Sequence, residues 1–319
     1  MCDRIAHPGE ASMIQTEGLT RRFGDRLAVD RLTIRVGAGE ILGLLGPNGA
    51  GKTTTIRMLA GIIAPSAGTA RVNGVDPAAE PERVHETIGL LTEASGFYER
   101  LSARRNLEYF ARFYENVEAR GAVDRALDRM GLAERAKDRV GTFSKGMKQR
   151  LALARTLLHE PRILFLDEPT AGLDPEAAKD LRALILELRR DHRTILLCTH
   201  NLHEAEELCD RMAIFRTQLI ALDTPERLRG GQAEPSVRVR LTAVSNEFVA
   251  TLTRLPFVQS VRVTEADGTV LSVRLRDIRH DRPQLVEAII ANDGDIVEIV
   301  EERQSLEDVY LRLVQEEGR

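Results

Sequence analysis

The glycine-rich segment from Gly46 to Thr53 constrains the fold of this chain more than any other feature. It reads Gly-Pro-Asn-Gly-Ala-Gly-Lys-Thr, follows the apolar run Ile41–Leu45 and precedes a helical pattern that extends from Lys52 to about Ala60. Glycines let successive backbone N–H groups turn toward one point, and the N-terminus of the following helix adds positive potential. The order of strand, glycine loop and helix therefore predicts a phosphate-binding loop inside an α/β core.

The residues of this loop are candidates for binding a nucleotide. Lys52 can reach the β- and γ-phosphates, and the hydroxyl of Thr53 can bind Mg²⁺. The predicted nucleotide contacts are Gly46, Pro47, Asn48, Gly49, Ala50, Gly51, Lys52, Thr53 and Thr54. The alternative is a glycine-rich turn that matches by chance, and the flanking strand and helix argue against it.

An acidic pair follows a second apolar run. Ile163–Leu166 reads as a buried strand, and Asp167 and Glu168 come directly after it. We expect Asp167 to hold Mg²⁺ through its water shell and Glu168 to orient and polarise an attacking water. The alternative is two acidic residues at a solvated strand end, which the nearby phosphate loop makes less attractive.

The strand and helix patterns divide the chain into four regions. Residues 1–12 show no periodicity and are predicted to be a flexible extension. Residues 13–230 alternate strands and helices around a helical insert at about 94–160, which predicts an α/β core. A linker occupies residues 231–236, and residues 237–319 follow the β-α-β-β-α-β order of a small ferredoxin-like α+β domain.

Individual elements can be placed in the first of these domains. Two helices are predicted, one starting at Lys52 and one over Pro175–Arg190. The predicted strands are Ile14–Gly18, Leu32–Val36, Ile41–Leu45, Ile163–Leu166 and Ile195–Cys198, followed by a hairpin over Arg211–Leu222.

Composition excludes some classes of partner. The formal net charge of −4 over 319 residues gives no basic excess, so no nucleic-acid partner is expected. The longest uncharged stretch, Met58–Ala70, is shorter than the roughly 20 apolar residues that a membrane-spanning helix needs. Cys198 lies in an apolar run and is predicted to be a small core residue.

The motifs together resemble those of an ATP-binding cassette (ABC) transporter ATPase subunit. The resemblance covers Ile14 to about Leu228. It places Phe23 where the family stacks an aromatic ring on adenine. The family's signature, usually Leu-Ser-Gly-Gly-Gln, corresponds here to Phe143-Ser144-Lys145-Gly146-Met147. The family's loop after the acidic pair corresponds to Ala171-Gly172-Leu173-Asp174, and its switch histidine corresponds to His200.

The resemblance implies a function that needs two chains. In this family each site combines the phosphate loop of one subunit with the signature of the other, so Ser144 and Gly146 would contact ATP held by a second copy or a paired ATPase subunit. Asp174 is carried over as a nucleotide contact. ATP and Mg²⁺ would be required, and hydrolysis would drive a separate integral membrane permease at the cytoplasmic face of the cell membrane. A single chain should bind ATP but hydrolyse it poorly.

Two positions depart from the usual family pattern. Lys145 and Met147 replace glycine and glutamine in the signature, a form that resembles the drug-resistance and sodium-efflux exporters. Glu93 stands where most of the family has a glutamine that reaches the metal and the attacking water. A carboxylate there can accept a hydrogen bond from metal-bound water but cannot donate one as an amide does.

Two assignments leave alternatives open. His200 is read as the γ-phosphate sensor, but it could also be a core histidine or, with His203 three residues on, a metal ligand. Six aromatic residues fall between Phe97 and Tyr114 and could fill the core of the helical insert. The sharper hypothesis is that Phe97 and Tyr98 line a groove for a short helix of the permease.

Two rival functions are compatible with the same loop. A soluble ABC ATPase of translation or DNA repair would carry two cassettes or a long coiled-coil insert, and neither pattern is present here. An ATP-gated scaffold that does not hydrolyse would not need Glu168.

Overall fold

The computed structural model of the chain describes residues 12–92, 96–115, 117–230, 236–264, 268–302 and 306–316. It divides into two compact units between Pro225 and Glu226. Apart from Ser12 and Ser236, the predicted extension and linker lie outside the described residues.

The first unit combines two sheets with helices. Its described strands are β1 (Ile14–Phe23), β2 (Arg26–Val36), β3 (Ile41–Leu45), β4 (Ala67–Val72), β5 (Ile88–Leu91), β6 (Ile163–Asp167), β7 (Thr194–Thr199), β8 (Arg211–Arg216) and β9 (Gln218–Asp223). Its described helices are α1 (Lys52–Leu59), α2 (Pro81–His85), α3 (Ala103–Ala111), α4 (Ala119–Arg129), α5 (Lys145–Thr156), α6 (Pro175–Arg190) and α7 (Leu202–Leu208), and α8 (Pro225–Gly230) follows.

A six-stranded sheet forms the centre of this unit. Its order is β5-β6-β7-β3-β8-β9, and every pairing is parallel except the last, between β8 and β9. Each residue of β3, β6 and β7 is buried, as expected for parallel strands covered on both faces. The predicted α/β core with the phosphate-loop fold is therefore confirmed. Because β6, β7 and β3 are adjacent in this order, their carboxyl ends lie side by side. Ligands of open parallel sheets bind at these carboxyl ends.

A smaller antiparallel sheet has the order β2-β1-β4. Its first two strands are longer than the predicted Ile14–Gly18 and Leu32–Val36. They continue through irregular pairings into a tight turn in which Phe23 pairs with Arg26. The sequence pattern missed these extensions because the bulges interrupt the alternation of buried and exposed residues on which strand prediction depends.

The helical insert is less continuous than its pattern suggested. Between residues 97 and 160 the structure has α3, α4 and α5, together with short 3₁₀ turns at Ala133–Arg135 and Val140–Thr142. Tyr114 has a helical spacing from the buried Leu107 but lies beyond the end of α3. Leu158 has the same spacing from the buried Leu151 but lies beyond the end of α5.

The second unit has the predicted ferredoxin-like order. Its elements are β10 (Ser236–Leu241), α9 (Asn246–Thr253), β11 (Val258–Val263), β12 (Val270–Leu275), α10 (Ile278–Ala291), β13 (Ile296–Glu302) and α11 (Leu306–Glu316). The strands form an antiparallel sheet in the order β11-β12-β10-β13. Helix α10 starts at Ile278, ahead of Pro283, because Asp277 caps it by accepting hydrogen bonds from two backbone N–H groups.

Candidate functional site

A cavity of about 320 Å³ opens beside the phosphate loop. Its lining comprises Phe23, Arg26, Ala28, Pro47, Asn48, Gly49, Ala50, Gly51, Lys52, Thr53, Thr54 and Glu168. The structure thus gathers most of the predicted nucleotide contacts around one space. Gly46 lies at the start of the loop, directly after β3, and is absent from the lining.

The loop needs glycine at two of its positions. Gly51 precedes α1 with a φ of 104°, a backbone conformation that other residues rarely adopt. A Cβ at Gly46 would collide with the carbonyl oxygen of Phe215 in β8. The loop therefore packs tightly against the sheet, which fixes the direction of its backbone N–H groups.

Lys52 is a buried cation whose bonds stay within the site. Its Nζ donates to the carbonyl oxygens of Gly46 at 2.6 Å and Pro47 at 3.2 Å. The same Nζ lies 3.3 Å from Glu168 Oε1. The ammonium group is thus held at the mouth of the loop by partners that a phosphate could replace.

Thr53 and Asp167 meet at the point predicted for the metal. The Thr53 hydroxyl donates to Asp167 Oδ2 at 2.7 Å, and Asp167 is 4% exposed. Mg²⁺ prefers hard oxygen ligands and keeps several waters, so one hydroxyl and one carboxylate beside a phosphate site fit its chemistry. Glu93, the other predicted metal and catalytic residue, lies outside the described residues.

Glu168 connects three parts of the site. Its Oε2 lies 2.8 Å from His200 Nδ1, and its backbone N–H donates to the carbonyl of Cys198 at 2.8 Å. Its φ of 51° is unusual for a residue other than glycine, and such conformations cluster at functional sites. His200 has a side chain that is 52% exposed, which excludes the reading of a buried core histidine. His203 is exposed.

Sequence reasoning missed Arg26, which lines the cavity beside Phe23. Phe23 is half exposed, and the Arg21 guanidinium lies 4.5 Å from its ring centroid. Only two residues, Gly24 and Asp25, separate Phe23 from Arg26, and this Gly-Asp dipeptide between two strand-like runs was the signal that could have located the turn.

Ser144, Gly146 and Asp174 do not line the cavity of their own chain. Ser144 caps α5 through a bond from the Met147 N–H at 3.2 Å, and Asp174 caps α6 through the Ala177 N–H at 2.9 Å. A Cβ on Gly146 would lie 3.0 Å from the Ala177 Cβ, so the two helix N-termini are in contact.

The aromatic residues of the insert form an exposed cluster. Tyr98, Tyr109 and Phe113 are partly exposed, Phe113 most of all at 68%. Tyr109 contacts both others edge to face, with ring centroids 5.1 and 5.5 Å away. Phe97 and Phe110 lie behind them and share the Arg155 guanidinium at 5.1 and 4.8 Å from their ring centroids.

Comparison with known proteins adds to this geometry. Residues 29–171 match the family described as ABC transporter, and residues 224–314 match the ATP-binding protein DrrA1-3-like, C-terminal domain. The bacitracin transport ATP-binding protein BcrA of Bacillus licheniformis is 35% identical over 305 residues, which are 95% of this chain and 98% of the relative. The daunorubicin resistance ATP-binding protein DrrA3 of Streptomyces coeruleorubidus is 35% identical over 309 residues, 96% and 97% of the two chains.

Solved structures share the architecture of the first unit. One described as an ATP-binding subunit of an ABC transporter has a TM-score of 0.62 at 31% identity and covers 69% of this chain and 93% of its own. A dimeric ATP-binding cassette bound to ADP and phosphate, 22% identical with a TM-score of 0.60, has the same fold and covers 66% and 98%.

The parallel sheet, the glycine loop and the acidic pair define a phosphate-loop ATPase. The chain belongs to the ABC transporter family, as an ATP-binding subunit. It is the ATPase motor subunit of a transporter. Across the described residues, no helix is both long and apolar enough to cross a bilayer.

Proposed function

We propose that this chain hydrolyses ATP as one of two paired ATPase subunits, and that the pair drives export through a separate integral membrane permease. The observation that carries the proposal is the set of contacts joining Lys52, Glu168 and His200 beside the phosphate loop, at distances of 3.3 and 2.8 Å. The reaction is attack of water on the γ-phosphate, and catalysis consists mainly of positioning and charge stabilisation.

Each contact has a task in this reaction. The loop N–H groups and the α1 N-terminus bind the phosphates, and the Lys52 ammonium neutralises charge on the β- and γ-phosphates. Glu168, held beside Lys52 and His200, accepts a hydrogen bond from the attacking water and directs its lone pair at phosphorus. His200 senses the γ-phosphate and keeps Glu168 in place. Phe23 supplies an exposed ring on which the adenine stacks.

Mg²⁺ fits the pair formed by Thr53 and Asp167, and when bound it would neutralise charge on the β- and γ-phosphate oxygens. Thr53 would bind it directly, and Asp167 through its water shell. Glu93 is proposed to accept from a metal-bound water.

The second subunit is required because three of the proposed nucleotide contacts lie outside this cavity. Ser144 and Gly146 start a helix whose N-terminus attracts a phosphate, and Asp174 starts the neighbouring helix. None of the three lines the cavity of its own chain. We infer that these residues complete the site of a second copy or of a related ATPase subunit. Two ATP molecules are then held between two chains.

The exposed aromatic cluster of Tyr98, Tyr109 and Phe113 is proposed to bind the permease. Rigid aromatic side chains are typical anchors of protein interfaces. Tyr98 of this cluster comes shortly after Glu93 in the sequence, so a permease helix bound there would respond to the state of the nucleotide site. On this proposal the chain works at the cytoplasmic face of the membrane.

Export is favoured over import by the relatives. DrrA3 is named for daunorubicin resistance, and a transporter can give resistance by removing the compound from the cell. The net charge of −4 supports the expectation that nucleic acid is not a partner.

Replacing Glu168 with glutamine tests this function. Glu168→Gln should still bind ATP but should lower kcat by at least about 100-fold, because the carboxylate that orients the water is lost. It should also trap a stable ATP-bound pair of chains, visible by size-exclusion chromatography with light scattering.

The matched control is Glu187→Gln, which changes an exposed carboxylate on α6. It should hydrolyse ATP at the wild-type rate. An unchanged rate in Glu168→Gln would refute the role proposed for this residue.

A further inference from the structure

A carboxyl group is buried behind the catalytic residues without taking part in the proposed chemistry. Glu204, in the first turn of α7, is 1% exposed. Glutamate is almost never fully buried unless a partner compensates for the loss of water. Burial raises the pKa of Glu204, reinforced by the charge of Glu168, while the hydroxyls of Thr199 and Thr170 and the charge of Arg182 oppose the rise.

The position of Glu204 is tied to the turn that presents His200. The Thr199 hydroxyl donates to Glu204 Oε2 at 2.6 Å, and the same hydroxyl oxygen accepts from the Asn201 N–H at 3.0 Å. Asn201 in turn caps α7 by accepting from the Glu204 N–H at 3.2 Å. His200 is therefore flanked by two residues that both bond to Glu204, Thr199 to its carboxylate and Asn201 to its backbone N–H.

The same carboxyl faces the loop after Glu168. Thr170, two residues beyond Glu168, presents its hydroxyl to Glu204 and is itself buried. Glu168 holds a φ of 51°, a conformation that costs of order 1–3 kcal/mol and persists only where its surroundings enforce it. Glu204 therefore interacts with both the Glu168 loop and the His200 turn, and these two segments meet at the 2.8 Å contact between the Glu168 and His200 side chains.

We propose that Glu204 is a positioning residue for ATP hydrolysis, which holds the His200 turn and the Glu168 loop in the register that their direct contact requires. The proposal rests on the proposed function and extends it to a residue outside the nucleotide cavity. Glu204 is not among the residues that line the nucleotide cavity. It acts through Thr199 and Thr170, so its loss should slow the chemical step and leave ATP binding by the phosphate loop intact.

A structural role alone makes a different prediction. If Glu204 only filled space beneath α7, an apolar residue of similar volume would serve as well or better, because it removes a buried polar group. If Glu204 positions the two catalytic segments, a side chain that keeps the acceptor oxygen should serve, and an apolar one should not. Glutamine and leucine provide these two cases.

The experiment measures steady-state ATP hydrolysis by the full chain, at protein concentrations where the rate per chain no longer rises. Glu204→Leu should lower kcat by about tenfold or more, since small misplacement of catalytic groups is costly, while KM for ATP changes by less than about twofold. Glu204→Gln should stay within about threefold of the wild type, because its carbonyl oxygen can accept from Thr199.

A second variant guards against a folding defect at Glu204. Thr199→Val removes the hydroxyl but conserves the shape, and it should lower kcat in the same manner. The double variant Thr199→Val/Glu204→Leu should be no slower than the slower single variant, because both remove the same contact. Glu187→Gln, which changes an exposed carboxylate on α6, is the matched control and should behave as the wild type.

Three results would overturn the proposal: a wild-type kcat in Glu204→Leu, an equal loss in Glu204→Gln and Glu204→Leu, or losses that multiply in the double variant. Absence of hydrolysis by the wild-type chain would overturn both this proposal and the proposed function. A hydrolysing wild type with a normal Glu204→Leu variant would overturn the role of Glu204 alone.

Discussion

Replacing Gly146 with alanine should separate catalysis from stability. Gly146 is buried in the first turn of α5, where alanine is favoured over glycine by about 1 kcal/mol. The added Cβ would lie 3.0 Å from the Ala177 Cβ, and overpacking of this kind costs about 1–3 kcal/mol. The two effects largely offset each other, so the net loss of unfolding free energy should be about 0–2 kcal/mol.

That loss corresponds to a decrease in Tm of at most about 8 °C for a unit of this size. The decrease is too small to unfold the chain at 25 °C. Catalysis should suffer much more, because Gly146 is proposed to let a phosphate held by the other subunit approach the α5 N-terminus. Loss of one preorganised donor to a developing charge costs about 100-fold or more in kcat, and we expect a fall of that order.

The assay compares ATPase rate, binding of a fluorescent ATP analogue and thermal melting. ATP binding by Gly146→Ala should match the wild type, since the phosphate loop of the same chain is untouched. The double variant Gly146→Ala/Ala177→Gly removes the atom that the new methyl meets. This double variant should recover the wild-type Tm but not the wild-type ATPase rate. Recovery of the wild-type rate in the double variant would refute the proposed approach of a phosphate to Gly146.

Three further changes have defined outcomes. Tyr98→Ala should reduce transport by the reconstituted complex about tenfold while the ATPase rate of the isolated chain is unchanged; equal loss of both would contradict the proposed permease contact. Gly89→Ala should lower the free energy of unfolding by about 1–3 kcal/mol in a thermal melt, since its Cβ would lie 2.6 Å from the Thr156 carbonyl oxygen; an unchanged Tm would refute the close packing of β5. The pKa of Glu204 is raised on folding, so its contribution to stability is present below the unfolded value of 4.5 and is lost as pH rises through the folded value. Glu204→Gln should therefore gain Tm relative to the wild type between pH 4.5 and 8, and a difference that is constant with pH would contradict the buried state of this carboxyl.

Much of the site could be predicted because it is encoded in short segments. The loop from Gly46 to Thr53 is recognisable without neighbours, since its glycines, its lysine and the helix that follows act within eight residues. The N-cap at Ser144 is equally local, because a capping side chain bonds to a backbone N–H only three residues away. The acidic pair was recognisable because a buried strand rarely ends in two charges.

Other features depended on contacts between distant segments. The 2.8 Å contact between Glu168 and His200 joins residues 32 positions apart, and it exists because β6 and β7 are neighbours in the sheet. The cavity position of Arg26 required the bulged pairing of β1 with β2. A linear pattern contains no information about which strands pair or where a register shifts, so these contacts could not be read from it.

The sequence alone thus indicated the chemistry: a phosphate loop, an acidic pair at a strand end and a helix start proposed to meet a second phosphate, each encoded within a few residues. Only the tertiary structure decided which groups meet. It placed Glu168 between Lys52 and His200 and buried Glu204 behind them, because strand order and packing bring the ends of β3, β6 and β7 to one edge of the sheet.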